Sequence, residues 1–426
     1  MLPERTEIAN GVGFVHVAVD KFKSNRIDVR FVVPLRRESA ALNSLVPEVL
    51  SCATKNHPSL RDMSVAAEEM YGADIIADSG KFGDAQVVIV GASFLSDKYS
   101  FDGTDILGRV LGLLKEMIFE PKAENGAFSP DYVEIEKKTL IDYELSRVNN
   151  KRRYAQERLI EEMFEGDPYG ISENGTVEQI AAVTPESLYG AYEKLLKEAR
   201  VEICAVGDMD GERVKNFFAE AFGKIGREPI SPVVTVQKKR ARENVKYVRE
   251  HQSVTQGKLS LGFSVGDVDM VEKGHILDVA VGVFGGSATS KLFMNVREKL
   301  SLCYYCSAGF NDIKGFMAVS SGILFENEKK AFDEITAQLR AVQNGDITDD
   351  ELDSAKKGII NKLNTVFDNE GAISGFVFGK TMLGVGETIE EKKAKISSVT
   401  KEQISEIAKG FCLDTYYFLC GEEDEK

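Results

Sequence analysis

Gly285–Tyr305 reads GGSATSKLFMNVREKLSLCYY. A Gly-rich turn leads into an amphipathic helix and then into the start of a strand. Leu292, Phe293, Val296 and Leu300 recur at helical spacing and form one apolar stripe. Arg297 lies beside that stripe, and Tyr304 opens a segment rich in Cys and Tyr. By residue type alone this is a helix packed on a sheet. The turn Gly285-Gly286-Ser287 lets another backbone approach closely, because glycine has no Cβ. No G-x-x-x-x-G-K-[ST] pattern occurs anywhere, so the usual signature of phosphate binding is missing.

Outward from this stretch the second half has a regular order. A strand is expected at 257–264, helices at 276–284 and 292–300, and a strand at 316–324. Helices at 329–344, 349–383 and 399–410 follow, and a strand at 415–420 closes the chain. The first half runs the same way: a strand at 26–34, helices at 45–54 and 63–71, and a strand at 85–93. Helices at 103–119, 132–164 and 183–197 come next, then a strand at 201–207. Thr184 is an N-cap with Pro185 at the first helical position, and Thr400 heads the equivalent helix 216 positions later. That offset is close to half the chain and marks a duplicated domain. The expected organisation is therefore an N-terminal domain at 1–225, a linker at 226–256 and a C-terminal domain at 257–426. Pro229, Pro232 and the basic run Lys238-Lys239-Arg240 mark the linker as a solvated connector. Strands mixed with helix pairs point to an α+β fold of two tandem domains. Hairpin-like spacing predicts, in each, a largely antiparallel sheet with helices packed on one face.

Composition narrows the function. The 426 residues are 43% hydrophobic, enough for a large core, and the net charge of −15 argues against nucleic acid or an anionic membrane as partner. No run of about 18 apolar residues could span a bilayer. The start, MLPERTEIANGVGFVHV, has no apolar h-region, and six Cys in so long a chain fit a reducing cytoplasm. Cys303-x-x-Cys306 has no second pair, and the alternation around it reads as a strand rather than as a redox or metal site.

The segment L-F-x-x-x-R-E-K followed by Tyr, with the element order over nearly the whole chain, resembles the pitrilysin/insulinase zinc peptidases, the inverzincins. The resemblance implies two homologous domains forming half of a clam shell. It also implies that Arg297 and Tyr304 hold a substrate peptide beside the Gly285-Gly286 turn. In that family H-x-x-E-H on the first helix supplies two zinc-binding His and a general-base Glu, and a Glu on a later helix completes the metal site. The matching stretch here is LNSLVPEVLSCAT, residues 42–54. Leu45 and Val49 stand where the His belong, and Glu48 stands where the base belongs. Seven residues after Glu136, Tyr143 replaces the third ligand. Glu144 comes one residue late, rotated by about 100° around a helix. The chain has four His (His16, His57, His251 and His275), no two of them at i, i+3 or i, i+4 spacing. Zinc is therefore expected to be absent, and no residue is assigned a catalytic role. Pro47 is tolerable if Ser44 is the N-cap of this helix.

Relatives without the metal site pair with a metal-bearing one to enclose a peptide chamber. The resemblance thus implies a catalytically inactive cytoplasmic subunit that binds peptide through Arg297, Tyr304 and exposed sheet edges. Its partner would be a zinc-bearing paralogous peptidase subunit. The alternative is a homodimeric or monomeric peptide-binding or scaffold protein. A third reading, an enzyme using Glu48 or the Cys303/Cys306 pair, finds no Ser-His-Asp or Cys-His arrangement in the sequence to support it.

Overall fold

The computed structural model describes residues 4–230 and 233–421. Residues 1–3, Ser231 and Pro232 of the expected connector, and residues 422–426 lie outside the described residues. The chain divides into two compact units, and neither is one contiguous block. The first comprises Met1–Leu145, Ile171–Val234 and Val366–Gly386; the second comprises Ser146–Gly170, Thr235–Thr365 and Glu387–Lys426, each for its described residues. The sequence-based domains 1–225 and 257–426 are thus crossed twice. A segment around residue 158 belongs with the second unit, and one around residue 376 with the first.

The first unit is built on a six-stranded sheet in the order Thr6–Ala9, Val12–Ala18, Arg200–Gly207, Ser24–Pro34, Ala85–Leu95, Asp74–Phe82. All neighbours are antiparallel except Val12–Ala18 with Arg200–Gly207. Alternation sets the two faces of its central strand. Ile27, Val29 and Phe31 enter the main core, where helices Arg37–Cys52, Ile106–Phe119 and Gly211–Gly223 contribute Leu45, Leu111 and Phe218. Arg26, Asp28 and Arg30 take the other face. There the helix Glu370–Leu383, from the second half of the sequence, packs Ile373 and Val377 on Val15 and Val206, and Phe378 on Val32 and Val87. Asp28 is fully buried, 2.8 Å from Arg30 Nη2 and 3.0 Å from Arg26 Nε, and accepts a hydrogen bond from Ser374 Oγ.

In the second unit the order is Cys303–Asn311, Phe316–Ile323, Gly257–Ser264, Cys412–Cys420, Lys246–His251, with only the last pair parallel. This repeats, strand for strand, the first sheet from Asp74–Phe82 to Val12–Ala18. One face carries the core of Leu259, Leu261, Met317 and Val319 under helices Met270–Val281, Glu328–Gln343 and Lys401–Ala408. The helix Lys151–Met163, from the first half of the sequence, lies on the other face. Gly262 is small for this reason: a Cβ there would stand 2.5 Å from Met163 Sδ.

Several expectations change. The helix 45–54 is Arg37–Cys52: it follows the strand after two residues, Ser44 is buried inside it rather than capping it, and Pro47 lies in its interior. The single helix at 132–164 is broken. Pro130–Ser146 ends in a 3₁₀ turn at Arg147–Asn149, and Asn150 caps Lys151–Met163 by accepting from the Arg153 N–H. Likewise 349–383 breaks at Thr365–Asp368, and Asn369 caps Glu370–Leu383. The connector 226–256 contains the strand Lys246–His251. Strands Val12–Ala18 and Asp74–Phe82 and helices Gly211–Gly223 and Ile389–Ser398 add to the expected elements. The helix at 292–300 is π-helical over Leu292–Lys299, with the Leu300 N–H donating to Asn295 O at 3.1 Å. Leu300 is 45% exposed, which shortens the apolar stripe to Leu292 and Val296, with Phe293 half-buried. The caps at Thr184 and Thr400 stand as read, each closing a reciprocal capping box.

Asp28→Ala leaves Arg30 buried without its carboxylate partner. Urea unfolding is expected to show a loss of roughly 3–5 kcal/mol, the scale for half of a buried ion pair. Ser374→Ala, which removes one hydrogen bond to that carboxylate, is expected to cost about 1.5–3 kcal/mol.

Candidate functional site

Helix Arg37–Cys52 is where the resemblance places a metal. Leu45, Val46, Val49 and Leu50 all belong to the first unit's main core. The two positions expected to hold imidazoles are therefore core positions with apolar side chains. Glu48 is half-buried. Burial, with help from the Glu136 and Asp78 carboxylates, raises its pKa from 4.5 to about 7. One turn on, the Cys52 thiol donates to Glu136 Oε1 at 3.4 Å and to the Glu48 carbonyl at 3.3 Å. Burial and the neighbouring Glu136 push that thiol well above its ordinary range, so it stays protonated.

Glu136 lies on helix Pro130–Ser146, which also carries Tyr143 and Glu144. Tyr143 is exposed. Glu144 Oε1 accepts from Asn174 Nδ2 at 2.8 Å, and Asn174 Oδ1 accepts from Ser44 Oγ at 3.1 Å. Ser44 Oγ is also 2.7 Å from Ser79 Oγ on the edge strand Asp74–Phe82. The structure therefore gathers Glu48, Glu136 and Cys52, and separately ties Glu144 to Ser44. Sequence reading passed over Cys52 and Asn174. Cys52 lies one turn after Glu48 and could have been read as its neighbour; Asn174 is 130 residues from Ser44 and left no signal.

The family's zinc does not fit these residues, since two of the expected donor positions are apolar core side chains. Among the described residues, no group of three or more His, Cys, Asp and Glu could hold a metal ion. The His side chains are dispersed: His57 Nδ1 is 2.9 Å from Glu116 Oε2, and His251 Nδ1 is 2.8 Å from Gly421 O. A carboxyl group with a pKa near neutrality can carry a proton at this half-buried position.

Within the second unit, Gly285 and Gly286 end a π-helical turn at Gly282–Gly286. Gly285 is buried, and a Cβ there would come within 2.6 Å of the Ala308 backbone, so strand packing requires glycine. Gly286 is exposed. The π-helix Leu292–Lys299 packs on the strand Cys303–Asn311. Arg297 is partly exposed, lies over the Phe293 ring at 4.5 Å, and its Nε is 3.5 Å from Glu298. Tyr304 is 64% exposed at a β-bulge in that strand. Cys303–Asn311 is an edge strand, paired only with Phe316–Ile323 among the described residues. Tyr304 thus lies in this edge strand, and Arg297 lies on the helix packed against it.

A duplicated α+β fold whose first helix carries Leu and Val where paired imidazoles would bind zinc is a metallopeptidase fold without a metallopeptidase centre. Comparison with known proteins agrees. Residues 182–359 match the family model described as Peptidase M16 inactive domain. The chain is 33% identical over 409 residues to a Bacillus subtilis (strain 168) protein described as "Probable inactive metalloprotease YmfF", covering 96% of this chain and 95% of that protein. A conserved protein from Enterococcus faecalis V583 shares the structure over the whole of both chains, with a TM-score of 0.93 and 28% identity. The peptidase M16 inactive domain from Pseudomonas fluorescens shares the fold, with a TM-score of 0.81, 16% identity and full coverage of both chains. The chain belongs to the M16 peptidase family, the pitrilysin/insulinase group, as an inactive, peptidase-like member.

The raised pKa of Glu48 sets a pH dependence. The folded protein holds this proton above the unfolded value, so Glu48's own contribution to stability is fully present below about pH 4.5 and is lost as pH rises through about 7. The full shift corresponds to at most about 3 kcal/mol, and less in practice because the group is partly solvated. Glu48→Gln is expected to flatten this segment of the stability-versus-pH curve measured by denaturant unfolding. An unchanged slope would mean that Glu48 titrates normally.

Proposed function

We propose that this chain is the metal-free subunit of a two-subunit peptidase, holding peptide while a zinc-bearing relative cleaves it. One contrast carries the reading. The helix expected to bind metal has turned its donor positions into core, while Arg297 and Tyr304 remain accessible beside a free strand edge. An extended peptide can add to such an edge through main-chain hydrogen bonds. Arg297 then donates to a peptide carbonyl or grips a carboxylate, and Tyr304 supplies an aromatic contact and a hydroxyl. Cleavage falls to a partner because the Glu48 helix offers no imidazole ligands. No helix among the described residues is long and apolar enough to cross a membrane; with six free Cys, the reading places the assembly in the cytoplasm.

Four measurements bear on this. Elemental analysis of the purified chain is expected to find no stoichiometric zinc, and the chain alone is expected to cleave no peptide; zinc-dependent cleavage by the isolated chain would sink the proposal. Arg297→Ala and Tyr304→Ala are each expected to weaken peptide binding about tenfold, or about 1.4 kcal/mol, by fluorescence anisotropy. Affinity purification from native cells is expected to recover a one-to-one partner of similar size carrying zinc. Recovery of the chain alone, or as a zinc-free homodimer, would favour a scaffold role.

A further inference from the structure

Cys303 and Cys306 stand three residues apart on an edge strand, where strict alternation would put them on opposite faces of the sheet. They share one face. Cys303 pairs opposite Ile323, Tyr305 opposite Gly322 and Cys306 opposite Ser321, so Tyr304 is the inserted residue of a bulge. The insertion returns Cys303 to the helix-covered face, where it packs against the same core that contains Cys306. Tyr304 is left exposed. Tyr305 takes the opposite face, with the Arg152 guanidinium 4.1 Å from its ring centre.

The two thiols are unequal. Cys306 is buried and Cys303 is half-buried. Hydrogen bonding from the Cys306 thiol, aided by the charge of Arg297, draws Cys303 below its ordinary pKa, and the same contact with burial pushes Cys306 above it. A half-buried sulfur disposed to ionise thus shares one face of the strand with a sheltered one that keeps its proton, the arrangement of an attacking and a resolving thiol.

We propose that Cys303 and Cys306 form a redox-reactive site that takes low-molecular-weight disulfides as its oxidant. The Cys303 thiolate attacks one sulfur of the disulfide RS–SR. A mixed disulfide forms at Cys303, and RS⁻ leaves and takes up the proton that Cys303 gave to water. Cys306 then attacks the Cys303 sulfur, the mixed bond breaks, and a second RS⁻ leaves with the Cys306 proton. The two cysteines lose two electrons and two protons, and RS–SR is reduced to two RSH. A disulfide needs Cα atoms within about 7 Å, whereas extended residues rise about 3.3 Å each. Closure therefore draws the bulge tighter and carries Tyr304 with it. The site stands whether or not Tyr304 holds a peptide.

The test is a time course of the full chain with oxidised glutathione, quenched by alkylation and mapped by peptide mass spectrometry. Cys303 is expected to be blocked several-fold faster than the exposed Cys412. A glutathione adduct at Cys303 should give way to a Cys303–Cys306 disulfide, and dithiothreitol should restore both thiols. Cys306→Ser should accumulate the adduct at Cys303, and Cys303→Ser should leave Cys306 reduced. Reaction confined to Cys412, or Cys303 reacting no faster than Cys412, overturns the proposal. So does Cys306 reacting at its wild-type rate in Cys303→Ser. The wild-type time course decides even if a variant fails to fold.

Discussion

Each sheet in this protein has two faces that must be kept from water, and everything else in the fold follows from how that is done. In each unit, helices of the same half of the sequence cover one face, and a single helix from the other half covers the second. The central strand Ser24–Pro34 shows what this requires. Its second face presents Asp28 and Arg30, which could not stay buried without each other, and the half-buried Arg26 and Ser374 on the covering helix complete the carboxylate's partners. In the second unit Asp414 is fully buried and is held by Lys238 at 3.2 Å and by the Arg242 N–H at 2.8 Å. Buried charges of this kind add little net stability, because desolvation offsets much of their attraction. They do fix which helix can lie on which strands, since any other apolar helix would strand a charge.

The positions where the family binds zinc are core positions here. Along Arg37–Cys52 the buried residues are so many that the helix is wrapped nearly all round, which suits Leu45 and Val49 and would not suit two imidazoles needing a wet, shared ligand. Glu48 is the exception. Its raised pKa lets it be neutral in half-buried surroundings near neutral pH, so its burial is tolerable without a cation. Cys52 beside Glu136 works the same way, since a protonated thiol can donate to a carboxylate that has no metal to bind.

Local chemistry made part of this legible. Thr184 and Thr400 could be read as caps because a capping box is a four-residue device. Strand Gly257–Ser264 matched its expected bounds, because a strand buried on both faces reads as a short apolar and small-residue run. What failed depended on distance. Nothing near residue 150 distinguishes one long charged helix from two; only the assignment of Lys151–Met163 to a different sheet makes Asn150 a cap rather than a mid-helix residue. Strand Lys246–His251 was hidden in a basic, alternating segment, and it becomes a strand by pairing with Cys412–Cys420, some 170 residues away. At the candidate site, the loss of ligands was visible as residue type. The placing of Cys303 and Cys306 on one face was not, because it depends on a bulge that no dipeptide announces.

Two irregularities, the π-helix Leu292–Lys299 and the bulge at Tyr304, fall within a dozen residues of each other. Both depart from regular structure: a π-helix is rare and occurs mostly as short bulges within α-helices, and a β-bulge leaves a residue out of the ladder. A regular helix and strand would bury Leu300 with Leu292 and Val296 and would turn Tyr304 toward the core. The irregular version gives up that apolar contact, exposes Tyr304 at a free strand edge, and brings two thiols to one face. Helix Arg37–Cys52 shows the opposite trade, a fully α-helical element whose former ligand positions have been absorbed into packing. Where the donor positions are packed into core, the residues do not fit the family's zinc. At the π-helix and the bulge, side chains able to engage a ligand stay at the surface, and it is there that function should be sought.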